Sequence, residues 1–528
     1  MNTAALTLSQ KIGQLLMVGF DGLAPDHHIE SLLQHEQVGG VILFRRNVEN
    51  PAQLAALTRA LQSRNALSSS LPLLIGIDQE GGMVARLETG LTPLPSAQAF
   101  ALAGSAADCF ELTRIANAEL LQAGVNVNFA PVLDVNNNPR NPVIGVRAFG
   151  NTVATVCEYG LAAMAGVNAG GVVPVVKHFP GHGDTEVDSH LGLPVVNHER
   201  ARLDEVELAP FRAALAAGAP AVMSAHVVFP AIEPDRDTPS TCSHAVLTGL
   251  LRQEMGFDGV VFTDCLEMDA IAAGMGVVAG ALAAFRAGAD VLLVSHRLDR
   301  QRAVHAALLQ AVLAGDISEA RIDQSVARIL ALKARYRMQD WANQPIPLPA
   351  SLATAETLAR SAAIHAGALR WEGIPEPLDA SLPTLVLQCE IRQRTEMDET
   401  ESREGTLAAQ LHAAGVPVRA MYLPLAPGDA DLAEVLRLAR DFGQIIVVSY
   451  NAMLQPRQQR LLDQLASEAA GRTWLVAGRI SGDLACWPML RGRLTCFSSR
   501  PAALRAVAAA LLGQGATPLV ESTGTTRP

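Results

Sequence analysis

The stretch Val172–His190 reads VVPVVKHFPGHGDTEVDSH and changes from apolar to polar along its length. Its first residues are almost entirely apolar, which is typical of a parallel β-strand buried on both faces. The strand ends at Lys177-His178, and Pro180-Gly181 then favours an irregular loop over a helix. We therefore predict a buried strand that delivers a polar loop to one edge of a sheet.

Seven further apolar runs precede or follow this strand, and helical patterns such as Glu199–Ala217 and Val278–Ala287 lie between them. Eight strands that alternate with helices predict an α/β protein with a (β/α)₈ TIM-like barrel. An open doubly wound sheet gives the same alternation and stays as the alternative. The eight predicted strands are Gln14–Phe20, Gly40–Phe44, Leu73–Asp78, Asn126–Pro131, Val172–His178, Ala221–Val228, Gly259–Asp264 and Asp290–His296.

A second β/α alternation follows a predicted helix at Ser318–Tyr336 and a segment with prolines at positions 345, 347 and 349. Prolines at alternate positions stiffen the chain, so we predict a linker at 338–352. The barrel then occupies 1–337, a smaller three-layer α/β sandwich occupies 353–514, and a flexible tail occupies 515–528. The predicted strands of the sandwich are Thr384–Cys389, Val416–Tyr422, Gln444–Tyr450, Thr473–Ala477 and Leu494–Phe497.

The composition and charge favour a globular protein and argue against several other classes of protein. Of 528 residues, 49% are hydrophobic and 18% are charged, which is enough apolar material for a large core. The net charge of −11 and the lack of a basic run argue against nucleic acid as a partner. No apolar run is long enough for a transmembrane helix, and the first twenty residues lack the pattern of a secretory signal. Together with seven scattered cysteines without a CxxC pair, this predicts a cytoplasmic protein with reduced thiols and no structural zinc.

Polar side chains recur where the predicted barrel strands end. Catalytic groups of such barrels collect at the carboxyl ends of the strands, so this distribution predicts a functional site at that mouth. Helix capping explains one of the aspartates at a time, but not a Lys-His pair or two later histidines. The residues are Asp78 after the third strand, Lys177 and His178 on the fifth, His226 on the sixth, Asp264 after the seventh and His296 after the eighth.

The polar loop after the fifth strand has two competing interpretations. Its histidines and aspartates could ligate zinc or iron, but the spacing of His178 and His182 suits a metal only on a helix, which the intervening Pro-Gly prevents. Alternatively, Asp188 and His190 point the same way in an extended segment and form an acid/base pair. The carboxylate then raises the basicity of the imidazole and fixes its orientation. Internal hydrogen bonding of the loop is the expected role of His182 and Asp184.

The segment GVVFTDCLEMDA at 259–270 places one carboxylate, Asp264, directly after an apolar run. Glu267 and Asp269 fall in a turn or first helical turn, where acidic side chains interact well with the helix dipole, so we interpret both as structural. In IDQEGGMVARL, Asp78 can accept hydrogen bonds from a polyol. A long, turn-rich segment delivers Arg147 to the same edge.

The motifs KHFPGHGDTEVDSH, IDQEGGMVARL, NFAPVLDV, NPVIGVRAFG and FTDCLEMDA resemble glycoside hydrolase family 3, most closely its β-N-acetylhexosaminidase branch, over about residues 8–335. The resemblance implies a retaining, exo-acting hydrolase that removes N-acetylglucosamine from glycosides such as peptidoglycan fragments, without a metal or cofactor. By motif, Asp264 matches the nucleophile, His190 the acid/base and Asp188 its partner. The positions that bind the terminal sugar are matched by Asp78, Arg86, Arg147, Lys177 and His178.

Two details refine the resemblance. The β-glucosidase branch of the family takes its acid/base from the second domain and lacks the Asp-Ser-His pattern, so residues 188–190 favour the hexosaminidase branch. Cys265 stands where many members have a second Asp. The rival functions at this point are a β-glucosidase or β-xylosidase, a phosphorylase on the same fold, and a non-catalytic sugar-binding protein.

Overall fold

A computed structural model describes residues 6–187, 189, 192–343, 352–390, 405–514 and 519–521. Its first eight strands are β1 Leu16–Val18, β2 Gly40–Leu43, β3 Leu74–Ile77, β4 Val127–Asn128, β5 Val173–Phe179, β6 Ala221–Ser224, β7 Val260–Phe262 and β8 Leu292–Val294. They pair in parallel in the order β7-β6-β5-β4-β3-β2-β1-β8. A further parallel bridge between Phe262 and Val291 joins the two ends. The sheet therefore closes on itself, which confirms the predicted barrel over the open doubly wound sheet.

Burial explains why these strands could be recognised in the sequence. Every residue of the eight strands is buried, as expected when one face meets the barrel interior and the other meets the helices. The longest strand is β5, whose seven residues carry Lys177 and His178 to the barrel mouth. The polar ends of the strands are therefore brought together by the apolar parts that precede them.

Of the three helices predicted around the barrel, those at Val278–Ala287 and Ser318–Tyr336 are confirmed to within one residue at each end, and the third differs. The pattern expected as a single helix at Glu199–Ala217 is two helices, because Pro210 lies in the first turn of the second and lacks the N–H that a longer helix needs. The connection between β6 and β7 contains a π-type helix, Ala245–Glu254. The α-helices are α1 Leu8–Gln14, α2 His27–Ser31, α3 Pro51–Asn65, α4 Ala97–Ala103, α5 Ala106–Gln122, α6 Val153–Ala169, α7 Arg200–Glu205, α8 Ala209–Ala216, α9 Asp269–Ala272, α10 Val277–Ala287, α11 Leu298–Leu313 and α12 Glu319–Arg335.

The second part of the chain forms a mixed seven-stranded sheet. Its strands are β9 Arg370–Glu372, β10 Thr384–Glu390, β11 Val418–Pro424, β12 Gln444–Ser449, β13 Thr473–Ala477, β14 Gly492–Thr495 and β15 Leu519–Glu521, in the order β11-β10-β12-β13-β14-β9-β15. Successive residues of its central strands enter two different apolar cores, one on each face of the sheet. This confirms the predicted three-layer sandwich. Its helices are α13 Ala355–Ala368, α14 Leu407–Ala413, α15 Asp429–Ala439, α16 Pro456–Ala469, α17 Asp483–Cys486 and α18 Pro501–Leu511.

Two segments differ from the sequence prediction. The start of the expected linker, Met338–Asn343, is a 3₁₀ helix, and residues 344–351 lie outside the described residues. Within the expected tail, Leu519–Glu521 pairs in parallel with β9, while 515–518 and 522–528 lie outside the described residues. Strands of three residues carry too little pattern to be recognised without their partners.

A lysine is buried near the amino-terminal end of the barrel. Lys333 of α12 is fully buried, and its Nζ donates to Gln14 Oε1 at 2.8 Å and to the Gly39 carbonyl at 3.1 Å. Burial lowers the pKa of this ammonium to about 7. The folded protein therefore releases this proton at a lower pH than the unfolded chain does, and Lys333 contributes to folding stability in a pH-dependent way.

We predict that the melting temperature of the wild-type protein rises relative to that of Lys333→Met between pH 7 and pH 9. In this window the unfolded chain keeps the Lys333 proton that the folded protein loses, so stability increases with pH by up to about 1.4 kcal/mol per pH unit. Lys11→Met is the control, because two carboxylates raise the pKa of Lys11 and its charge stays constant in this range. A difference between wild type and Lys333→Met that is flat across these pH values would contradict the account.

Candidate active site

A buried network of charges occupies the mouth of the barrel between β3 and β5. The ammonium of Lys177 donates to Asp78 Oδ1 at 2.7 Å and lies 2.7 Å from Glu80 Oε1. The guanidinium of Arg147 binds Glu80 with both of its ends, through Nε at 2.9 Å and Nη2 at 2.7 Å. Arg86 Nη2 donates to Asp78 Oδ2 at 3.2 Å. Two carboxylates are thus shared among three cations from three separate segments.

A second pair extends this network. His178 Nδ1 donates to Asp134 Oδ2 at 2.8 Å, and Arg147 Nη2 donates to His178 Nε2 at 3.3 Å. Asp134 Oδ1 also accepts the backbone N–H of His178 at 3.3 Å and that of His182 at 2.7 Å. One buried carboxylate therefore orients an imidazole and holds the first turn of the loop that follows β5.

The five residues predicted to bind a sugar lie together in this network, with two further members, Glu80 and Asp134, that the sequence did not single out. Glu80 and Asp134 appear in the quoted motifs, but in the sequence nothing distinguishes them from other acidic residues in turns. Glu80 lies two positions after Asp78, and in an extended segment that spacing points both side chains the same way. The partners of Asp134 come from β5, and only the folded barrel brings them near.

The charges in the network stabilise each other. Burial alone would raise the pKa of Asp78. The positive charges of Lys177 and Arg86 lower it by more, so the pKa lies below its ordinary value. Glu80 behaves in the same way, because Arg147 and Lys177 outweigh the effect of burial on its pKa. Both carboxylates are therefore ionised at neutral pH and can accept hydrogen bonds from the hydroxyls of a ligand.

The polar loop after β5 is ordered from within. Burial and the neighbouring His178 lower the pKa of His182 to about 4, so its ring is neutral at pH 7. That ring lies 2.9 Å from Thr185 Oγ1 through Nδ1 and 3.2 Å from Ser189 Oγ through Nε2. Asp184 Oδ2 lies 2.6 Å from His198 Nε2. These contacts confirm the structural role expected of His182 and Asp184.

The loop after β4 supports the same segment. Asn141 Nδ2 donates to the carbonyls of His182 at 2.8 Å and Gly183 at 2.9 Å. The backbone at Gly183 lies so close to this loop that an added Cβ would stand 1.8 Å from the Val135 carbonyl oxygen. Only glycine allows that approach. The loops after β4 and β5 therefore form one packed unit.

Asp264 follows β7 at the same mouth and is partly exposed. Its Oδ1 accepts the backbone N–H of Cys265 at 2.7 Å. The buried His226 donates from Nε2 to the Cys265 carbonyl at 2.9 Å, and its Nδ1 lies 2.9 Å from Thr241 Oγ1. His226, two residues after β6, therefore holds the turn that carries Asp264.

Ser189, between the two residues of the predicted acid/base pair, is described by the structure. Asp188 and His190 lie outside the described residues. Ser189, between them in the chain, accepts the backbone N–H of Ala270 through its carbonyl at 3.4 Å. Ala270 belongs to α9, which begins five residues after Asp264. The segment with the predicted acid/base thus contacts the segment that follows the predicted nucleophile.

The comparisons with known proteins agree with these motifs. A family model, the Glycosyl hydrolase family 3 N terminal domain, matches residues 7–332. The chain belongs to glycosyl hydrolase family 3. It is 38% identical over 370 residues to "Beta-hexosaminidase A" of Pseudoalteromonas piscicida, a match that covers 62% of this chain and 61% of that protein. It is 41% identical over 288 residues to a "Beta-hexosaminidase" of Alkalilimnicola ehrlichii, covering 53% and 80%.

One solved structure of the family matches both parts of the chain, and another matches about three fifths of it. A glycoside hydrolase family 3 β-N-acetylglucosaminidase from Paenibacillus sp. is 46% identical, with a TM-score of 0.89 over 97% of both chains. A β-N-acetylhexosaminidase from Beutenbergia cavernae is 33% identical, with a TM-score of 0.57, and covers 62% of this chain and 99% of its own. Within the described residues, the family 3 chain has no helix of the length and apolarity that crossing a membrane requires.

In this family 3 chain, the second sheet holds the loops of the barrel mouth. Arg479, which follows β13, donates from Nη2 to the Val143 carbonyl at 3.2 Å. Asn451, which follows β12, donates to the Pro142 carbonyl at 3.4 Å. Arg500 donates from Nη2 to the Met83 carbonyl at 2.9 Å. The carboxyl edge of the sandwich sheet therefore clamps the two loops that carry Arg86 and Arg147.

We predict that Arg479→Ala lowers kcat/KM for the hydrolysis of an aryl β-glycoside by roughly tenfold. Loss of one hydrogen bond from a charged group costs about 1.5 kcal/mol and loosens the loop that presents Arg147 to the network. Arg479→Lys should restore part of the loss, and Arg437→Ala, which removes an exposed ion pair with Glu434, should have no effect. Equal kcat/KM for Arg479→Ala and wild type would show that the clamp does not position the site.

Proposed function

We propose that the protein is a retaining, exo-acting β-N-acetylglucosaminidase that removes terminal N-acetylglucosamine from β-glycosides such as peptidoglycan fragments. The observation that carries the proposal is the network of Asp78, Lys177, Arg86, Arg147 and His178, with the partly exposed Asp264 at the same mouth of the barrel. The 46% identity with a β-N-acetylglucosaminidase over 97% of both chains supports the choice of sugar.

The network supplies both kinds of partner that a sugar needs. The ionised Asp78 accepts hydrogen bonds from hydroxyl groups, and the cations Arg86 and Lys177 donate to hydroxyl oxygens. Charge-assisted hydrogen bonds are stronger than neutral ones and impose direction. Since each charged group is already held by an opposite charge, the network is organised before the sugar binds. The free energy needed to reorganise it is therefore small.

In the first half of the proposed reaction, a carboxylate oxygen of Asp264 attacks the anomeric carbon. The bond from that carbon to the leaving oxygen breaks, and His190, as an imidazolium, gives its proton to the leaving oxygen. The sugar is then bound covalently to Asp264. Asp188 stabilises the imidazolium and holds the ring, in the manner of a carboxylate beside a catalytic histidine.

In the second half, the neutral imidazole of His190 takes a proton from water, and the water oxygen attacks the same carbon. The bond to Asp264 breaks, the carboxylate is restored, and His190 is again an imidazolium. Two inversions at one carbon give net retention of configuration. The contact of Ser189 with Ala270 supports this scheme, because it joins the two segments that must cooperate.

A panel of aryl β-glycosides tests the substrate. We expect the wild-type protein to hydrolyse the N-acetylglucosaminide far faster than the glucoside or the N-acetylgalactosaminide, and at the same rate with and without inorganic phosphate. Preference for the glucoside would indicate a β-glucosidase. Formation of a sugar 1-phosphate would indicate a phosphorylase, and binding without turnover would indicate a sugar-binding protein. Each of these three outcomes contradicts the proposal.

We predict that His190→Ala slows hydrolysis of substrates with poor leaving groups by roughly 10²- to 10⁴-fold, the usual contribution of a general acid. An activated aryl glycoside needs no proton on its leaving group, so its glycosylation step should be much less affected. His198→Ala is the matched control, a partly exposed histidine bonded to the same loop through Asp184. A loss of equal size on both classes of substrate would argue that His190 is not the acid.

A further inference from the structure

Three side chains of different chemistry meet behind Asp264, between the ends of β7 and β8. They are the thiol of Cys265, the carboxylate of Glu267 and the imidazole of His296. A sulfur, an oxygen and a ring nitrogen from these residues all lie within 4.8 Å of one another. Neither the sugar-binding network nor the proposed mechanism uses any of the three.

The cluster is buried and contains a polar atom that lacks a partner. Cys265 and Glu267 are 4% and 5% exposed. Within the described residues, the buried Nε2 of His296 has no hydrogen-bond partner. Ser295 is completely buried, and its hydroxyl interacts with the Cys265 thiol. Buried polar atoms without a partner are rare in folded proteins and indicate a missing water or ion.

We propose that Cys265, Glu267 and His296 bind a thiophilic divalent cation of the zinc class. Thiolate sulfur, imidazole nitrogen and carboxylate oxygen are the ligands that Zn²⁺ takes in proteins, and three of them leave a fourth position for water. Cys265 is the residue that gives the cluster its thiophilic character. A harder cation such as Mg²⁺ prefers oxygen ligands and is not expected here.

The protonation states allow this binding with the release of one proton. Cysteine binds a metal ion as a thiolate, and histidine binds it through a neutral ring nitrogen. When the cation binds, the S–H bond of Cys265 breaks, a metal–sulfur bond forms and the proton passes to solvent.

The charged groups around the cluster do not exclude a cation. Arg46 and Arg297 pair with carboxylates outside the cluster, and Arg300 pairs with Glu267 itself. Arg300 Nη1 lies 3.2 Å from Glu267, Arg46 Nε lies 2.6 Å from Asp21, and Arg297 Nε lies 3.1 Å from Asp299. Asp264, next to Cys265 in the chain, lies close enough to act on the thiol electrostatically.

Occupancy of this site has a consequence for Asp264, which rests on the proposed function. The N–H of Cys265 donates to Asp264 Oδ1, and the Cys265 carbonyl accepts from His226. A cation on the sulfur pulls on the backbone that positions the nucleophile. We therefore expect Zn²⁺ to inhibit the enzyme reversibly, with activity restored by a chelator.

The site is tested by titrating the chelator-treated, full-length protein with Cd²⁺ and recording the ultraviolet absorption of the cadmium–thiolate bond. We expect saturation at one equivalent, displacement by Zn²⁺, and a higher melting temperature with either cation. Cys265→Ala and His296→Phe should each weaken binding at least tenfold, while Cys242→Ala should bind like wild type. Two variants are used because either alone could disturb the fold, which a melting curve without metal reports.

The absence of saturable binding, or equal binding by Cys265→Ala and wild type, would overturn the proposal. Loss of cation binding in both variants supports the metal site, whether or not the protein hydrolyses N-acetylglucosaminides. Lack of hydrolysis would overturn only the proposed function. Inhibition by Zn²⁺ is measured separately on wild type, with Cys242→Ala as the comparison. Binding of one equivalent without any loss of activity would overturn the link to Asp264.

Discussion

The ammonium of Lys177 between the carboxylates of Asp78 and Glu80 is the interaction on which the site depends. An unpaired charge at this depth would cost several kcal/mol, whereas paired charges with good hydrogen-bond geometry are tolerated. Lys177 is provided by β5, and the carboxylates follow β3. The barrel brings these strands into register through their apolar residues and so sets the distances within the network.

The network also explains how several loops become one site. Arg147 comes from the loop after β4 and reaches both Glu80 and His178, so the loops after β3, β4 and β5 share partners. Asp134 then holds the start of the polar loop, and Asn141 holds its next turn. The second sheet holds this arrangement from outside, because Arg479, which follows β13, donates a hydrogen bond to the loop after β4. Its described contacts with these loops hold backbone carbonyls in place.

The barrel could be predicted because its strands are buried on both faces, which leaves long apolar runs such as that of β5. The location of the site followed, since Asp78, Lys177 and Asp264 interrupt or end such runs. Glu80 and Asp134 could not be identified in the same way, because their importance comes from partners far away in the chain. The cluster of Cys265, Glu267 and His296 was missed for the same reason, although each residue lies at a strand end. Asp188 and His190 remain predictions.

In the proposed mechanism, Asp264 bonds covalently to a sugar held by the Lys177 network. The most direct measurement is peptide mapping by mass spectrometry after incubation with a fluorinated N-acetylglucosaminyl fluoride, which forms the glycosyl-enzyme readily and releases it slowly. We expect one added sugar, located on Asp264. A sugar attached to another residue, or turnover of the reagent without any covalent adduct, would contradict it.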